Sequence, residues 1–177
     1  LNEEELAEEF NVSRTPIRKI FQQLNADNLL NIIPRYGAQV TSVDFRKMKS
    51  IFEVTRQLDP FAARLAVERI QPHQIAKLEE IMGRLMNYKI PEDYQKAIDD
   101  DEIFHKTILE SSGNPALAEI LSKLHMQTER MWHYSEQYID SINIFTDTLG
   151  ELLEALKEQD VEKAERSARL HIDQFVE

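Results

Sequence analysis

The sequence predicts a mainly α protein in two parts. Residues 1–43 read as a winged helix-turn-helix without the first helix such domains usually have, and residues 44–177 as an antiparallel all-α helical bundle. Three observations predict this. Two short helical patterns meet at the polar turn Asn11-Val12-Ser13; the period then changes to two β-prone runs around Pro34-Arg35-Tyr36-Gly37; and from Asp44 onward almost every segment is amphipathic at helical spacing.

Taken in order, Glu3 to Phe10 form a short helix with Leu6, Ala7 and Phe10 on one side. A second helix starts either with Ser13 as N-cap or with Thr15 as cap and Pro16 at the first helical position. Ile17, Ile20, Phe21 and Leu24 then point inward, and Arg14, Arg18 and Gln22 share the opposite face. Leu29–Ile33 and Ala38–Val43 are the expected strands of a hairpin turning at residues 34–37. Helices follow at Phe45–Leu58, Pro60–Ile70, His73–Tyr88, Glu92–Ser111, Pro115–Gln137, Tyr138–Gln159 and Val161–Glu177. Asp59-Pro60 is expected to break or kink the first pair, and Gly113-Asn114-Pro115 is a stop-and-restart signal. A chain that opens on Leu1 and ends inside a helical pattern is expected to be a fragment or an incomplete chain.

The 177 residues carry a formal net charge of -11 and no cysteine, which excludes disulfides, thiolate metal sites and cysteine nucleophiles. There is no signal peptide and no apolar run long enough for a bilayer, so a soluble, cytoplasmic protein with no membrane partner is the expectation. The acidic balance argues against nucleic acid, but its distribution does not. Between Asn11 and Thr41, Arg14, Arg18, Lys19 and Arg35 face the single acid Asp27. Such a patch binds phosphates while the acidic remainder suppresses indiscriminate binding; a solvated helix face is the ordinary alternative.

Polar residues on apolar stripes are the second signal. Tyr94, Ile98, Asp101, His105, Ile108 and Ser112 form one inward stripe, and Val161, Ala164, Ala168, His171 and Phe175 another. A carboxylate on a core-facing stripe is costly unless it is paired or bound to a metal. Two readings stand side by side: a buried Asp101–His105 pair with His171 satisfied separately, or a site for one divalent transition metal (zinc, nickel or manganese) on Asp101, His105 and His171. His125 is placed to border the same cavity, and Arg56 and Arg130 are candidate anion partners in an effector pocket, with surface salt bridges as their alternative. His73 and His133 read as surface residues. The run Asp99-Asp100-Asp101-Glu102 reads mostly as a solvated helix face, and only Asp101 falls on the stripe. A helical metal-dependent hydrolase using Asp101, His105 and His171 is the alternative function, but it shows no evident general base and leaves the winged segment unexplained.

The chain resembles GntR-family transcriptional regulators of the subgroup with an all-helical FCD effector domain. The resemblance rests on Leu6-Ala7-Glu8, Val12-Ser13-Arg14-Thr15-Pro16-Ile17-Arg18, Pro34-Arg35-Tyr36-Gly37-Ala38, Arg56-Gln57-Leu58-Asp59-Pro60, Asp101-Glu102-Ile103-Phe104-His105 and Ser112-Gly113-Asn114-Pro115. It implies a homodimer on a pseudo-palindromic double-stranded DNA operator, released or tightened by a small-molecule effector, here expected to be an organic acid. Arg14 and Arg18, assisted by Thr15, would contact DNA from the recognition helix, and Arg35 and Gly37 from the wing. Glu4 stands where the family often has a further Arg. In metal-binding members the ligands are an Asp, a His one turn later and two later His residues. Asp101, His105 and His171 match three of them, and Leu149 occupies the place of the fourth.

Overall fold

The computed structural model describes residues 1–135 and 141–174. They divide into two compact units, Leu1–Asp44 and Phe45–Glu177.

In the first unit α1 (Glu3–Glu9) and α2 (Arg14–Ala26) precede an antiparallel hairpin of β1 (Leu30–Ile33) and β2 (Gly37–Val40), with Leu30 opposite Val40 and Ile33 opposite Gly37. Asn2 caps α1, its Oδ1 accepting from Glu4 N at 2.8 Å. Ser13 is the N-cap residue of α2, but its side chain makes no capping hydrogen bond. The helix starts at Arg14, so Pro16 takes the third helical position rather than the first, still inside the turn whose N–H groups lack helical partners. Ala7, Ile17, Phe21, Leu30 and Ala38 form the core. Ile20, expected inside, is 53% exposed; at 100° per residue it lies about 60° from Ile17, on the edge of the stripe.

The second unit contains α3 (Phe45–Arg69), α4 (Pro72–Leu85), α5 (Tyr94–Ser111), α6 (Pro115–Ser135), α7 (Asn143–Glu158) and α8 (Val161–Asp173). Asp59-Pro60 does not end a helix: α3 runs through it for 25 residues. An interior proline costs about 3 kcal/mol. Here Thr55, Asp59, Pro60, Ala62, Ala63, Ala66 and Val67 are all buried and α3 packs chiefly on α8, so tertiary burial outweighs that local cost. α7 begins at Asn143, later than expected; the expected helical residues 136–140 and 175–177, Phe175 included, lie outside the described ones. Gly113, at φ +59°, ends α5, and Asn114 Oδ1 accepts from Leu117 N at 3.2 Å as α6 starts. The main core gathers Leu78, Ile81, Leu85, Tyr94, Phe104, Phe145, Leu149 and Leu156.

Candidate functional sites

In the first unit α2 and the wing border one open groove, lined among others by Glu3, Arg14, Arg18, Gln22, Arg35 and Gly37. The inward pull of Ile17 and Phe21 turns Arg14, Thr15 and Arg18 outward, and all three are exposed. Arg35 sits at φ +71° in the turn and Tyr36 beside it is 85% exposed. Gly37 has φ +111°, and a Cβ there would run into the Leu1 carbonyl; glycine is therefore required by the fold. Glu3 is the residue the sequence reading missed. Its carboxylate meets Arg18 at 2.8 Å and Arg14 at 3.5 Å, and Arg18 holds its pKa below the ordinary glutamate value.

In the second unit the two polar stripes converge. Asp101 Oδ1 lies 3.6 Å from His105 Nε2 and 3.4 Å from His171 Nε2, and the three ligand atoms fall within 4.8 Å of one another. Asp101 Oδ1 is buried without a hydrogen-bond partner. Thr148 Oγ1 donates to Gln174 Oε1 at 3.2 Å, which leaves its lone pairs to the Nδ1–H of His171 at 2.8 Å. With Nδ1 protonated, the Nε2 lone pair of His171 would point toward Asp101. Burial lowers the His105 pKa to about 4 against the pull of Asp101, so its imidazole is neutral at pH 7.

His125 borders the same cavity, its ring 5.4 Å from that of His105. Its Nε2 engages the Asp59 carboxylate at 3.0 and 3.2 Å. Burial alone would lower the His125 pKa, but the Asp59 charge outweighs it and the net direction is upward. The wider cavity, about 50 Å³, is lined also by Phe52, Thr55, Glu102, Thr128, Glu129, Trp132 and Ile172. Burial, and next the charge of Glu102, push the Glu129 carboxyl up to about 7. Leu149 is buried on another side of His105 and His171, beside a void of only about 10 Å³.

Three expectations need correction. Arg56 does not line the cavity: its guanidinium is half exposed and pairs with Asp173 at 2.8 Å, because α3 turns Thr55 and Asp59 inward and position 56 outward. Arg130 is half-buried and also absent from the lining, where its neighbour Glu129 stands instead. Asp100 is not on a solvated face; it is buried, with Arg84 Nε at 2.9 and 3.2 Å from its two oxygens and the Tyr88 hydroxyl at 2.9 Å. His73 and His133 are exposed as expected. Asp59 and Thr148 were missed as site residues.

A groove lined by Arg14, Arg18 and Arg35 in one unit and an Asp/His-lined helical cavity in the other fit the class of transcriptional regulators. The family models bear this out: that of the bacterial regulatory proteins of the gntR family matches residues 1–40, and that of the FCD domain matches residues 50–174. The chain belongs to the GntR family and carries an FCD effector domain, a class of regulators and not of enzymes. It is 28% identical over 159 residues to the HTH-type transcriptional regulator McbR of Escherichia coli K12, covering 89% of this chain and 72% of that protein. It is 28% identical over 193 residues to the galactonate operon transcriptional repressor of the same organism, covering 94% of this chain and 80% of that one. The solved structure of E. coli McbR/YncC superposes with a TM-score of 0.83 at 26% identity, covering 99% of this chain and 84% of that chain.

Proposed function

We propose that the chain binds a pseudo-palindromic operator as a homodimer, and that a small metabolite in the α3–α5–α6–α8 cavity sets its affinity for DNA. The observation that carries the DNA reading is the single groove that brings Arg14 and Arg18 of α2 together with Arg35 and Gly37 of the wing. Thr15 lies on the same exposed helix start. Two copies would place two such helices on half-sites about one helical turn apart.

For the cavity, we assign Asp101, His105 and His171 as the residues that would hold one divalent zinc, nickel or manganese ion. The fit rests on Asp101 Oδ1, which is buried without a donor, on the neutral His105, and on Thr148, which presents the Nε2 of His171. When bound, the ion supplies a Lewis-acidic point for an oxygen of the effector. Leu149 gives no fourth protein ligand, so water or effector completes the shell. The relative named for the galactonate operon supports an acid-bearing effector. Such an anion has no Lys or Arg to meet among the described lining residues and depends on the metal.

The test is operator selection from a random DNA library with the full chain, followed by binding across a salt series with and without zinc. Two-half-site DNA, a steep salt slope and weakening by Arg14→Ala and Arg18→Ala are expected. Sequence-independent binding untouched by those substitutions would sink the DNA reading. Absence of stoichiometric metal, unchanged in His105→Ala and His171→Ala, would sink the metal.

A further inference from the structure

The charge of the cavity deepens the effector reading just given, and rests on it. Four carboxyl groups line the space, those of Asp59, Asp101, Glu102 and Glu129, and no Lys or Arg does so among the described residues. Residues 136–140 and 175–177 contain no Lys or Arg either. Asp59 is matched by His125, whose Nε2 lies 3.0 Å from its carboxylate. Asp101, Glu102 and Glu129 remain. Neither Glu102 nor Glu129 has a hydrogen bond or ion pair to a described residue. The demand for positive charge also reaches the interior: Asp101 is 8% exposed, and its Oδ1 faces the cavity without a donor.

Glu129, raised to about 7, is only partly ionised at neutral pH, so a divalent ion on Asp101, His105 and His171 would offset most of the negative charge that remains. An effector bearing only a carboxylate would restore the deficit and add an unpaired charge to a partly desolvated space. An ammonium group on the effector would offset that added charge. The cavity floor is buried at Asp101 and His171, whereas Glu102 is exposed and Glu129 half-buried, so the unsatisfied acids stand at its mouth. Beside them the Phe52 and Trp132 rings, 6.2 Å apart and tilted by 52°, offer an aromatic wall of the kind that attracts organic cations. We propose that the effector carries an organic ammonium group, which sits at the mouth against Glu102 and Glu129 with its hydrocarbon on Phe52 and Trp132. An amino acid of few carbons matches the small volume and keeps the acid group proposed for the effector.

Trp132 is the only tryptophan in the chain and lines this cavity, so its fluorescence reports binding there. The experiment titrates the full chain with propylammonium, L-alanine and propionate, once in zinc and once in chelator, while operator affinity is read in parallel. L-Alanine in zinc and propylammonium in either condition should saturate the signal with Kd values at least tenfold below that of propionate. Glu102→Gln and Glu129→Gln should each remove most of that preference with unchanged circular dichroism, and the charge-conserving Glu129→Asp should retain it. Propionate binding as tightly as L-alanine, no saturable response to either ammonium compound, or a preference that survives both Gln substitutions overturns the proposal. Ammonium binding that leaves operator affinity unmoved upholds the ammonium site and overturns the effector reading of the cavity. Ammonium preference in a chain that takes up no zinc upholds the site and removes the metal alone.

Discussion

Glu3 grips Arg18 with both carboxylate oxygens, accepting from Nε at 3.2 Å and from Nη2 at 2.8 Å. The same carboxylate reaches Arg14 at 3.5 Å. The two cations proposed to meet DNA are therefore engaged by a single carboxylate from within their own unit. A phosphate must compete with Glu3, which damps binding to arbitrary sequence. Exposed pairs of this kind are weak, so Glu3→Gln should tighten non-specific DNA binding only by roughly two- to fivefold. Arg18→Ala should weaken operator binding by roughly 5- to 150-fold, corresponding to about 1–3 kcal/mol. Fluorescence anisotropy at matched salt reads both, and unchanged non-specific binding in Glu3→Gln would show that the pair exerts no competition.

Thr148 determines which nitrogen His171 offers to Asp101. Thr148→Val keeps the shape and deletes the hydroxyl, releasing the ring from its tautomer. Outer partners of metal-ligating histidines are typically worth about 10–100-fold in affinity, and a zinc loss in that range is expected from competition with a chromogenic chelator. A zinc affinity equal to that of the parent would show that the 2.8 Å contact orients nothing.

Leu149 faces the same cluster from α7, with Asp59, His105 and His171 around the adjoining void. Leu149→His should convert three protein ligands into four and raise zinc affinity by more than about tenfold. The same chelator competition measures it. A loss of zinc binding by a variant that retains its thermal midpoint would mean that the fourth direction points elsewhere.

The buried histidines give stability two opposite dependences on pH. His105 is lowered from 6.5 to about 4, so between those values the unfolded chain takes up a proton that the folded chain refuses. Stability then falls as pH drops through that window, by on the order of 3 kcal/mol. His125 is raised above 6.5 by Asp59; its contribution is complete below 6.5 and is lost as pH rises through the folded value. Urea midpoints of metal-free protein should show a steeper acid limb than those of His105→Gln. On the alkaline side, the gap between parent and Asp59→Asn should narrow from pH 6 upward. Parallel curves for parent and Asp59→Asn would refute the pairing as a source of stability.

Much of the cavity was legible because Asp101, His105 and His171 break apolar stripes, and burying such groups demands a partner. Asp59 was hidden by its neighbour. Reading Pro60 as a break left Asp59 between two helices, whereas one continuous helix places Thr55, Asp59, Ala62 and Ala66 on a single buried stripe. A local rule about proline cannot register the burial against α8 that overrides it. Thr148 carries no such mark, since a threonine on a buried helix face reads as packing. Arg56 and Arg130 were drawn toward the cavity by their charge alone, although a helix turns adjacent positions by about 100°. Glu3 was visible only as one of three acids opening a helix; its contact with Arg18 needs the angle at which α1 meets α2.

The unbroken course of α3 has a mechanical consequence. Asp59 and Phe45 lie on one helix, about 21 Å apart at 1.5 Å per residue. A helix of that length behaves as a boom, and a tilt of about 5° at the Asp59 end would swing Phe45 through about 2 Å. Phe45 directly follows Asp44, the last residue of the DNA-reading unit. Any tilt of α3 that a ligand produced would thereby grow with distance along a single stiff element, and lengthening or softening that boom would change the gain without touching the ligand.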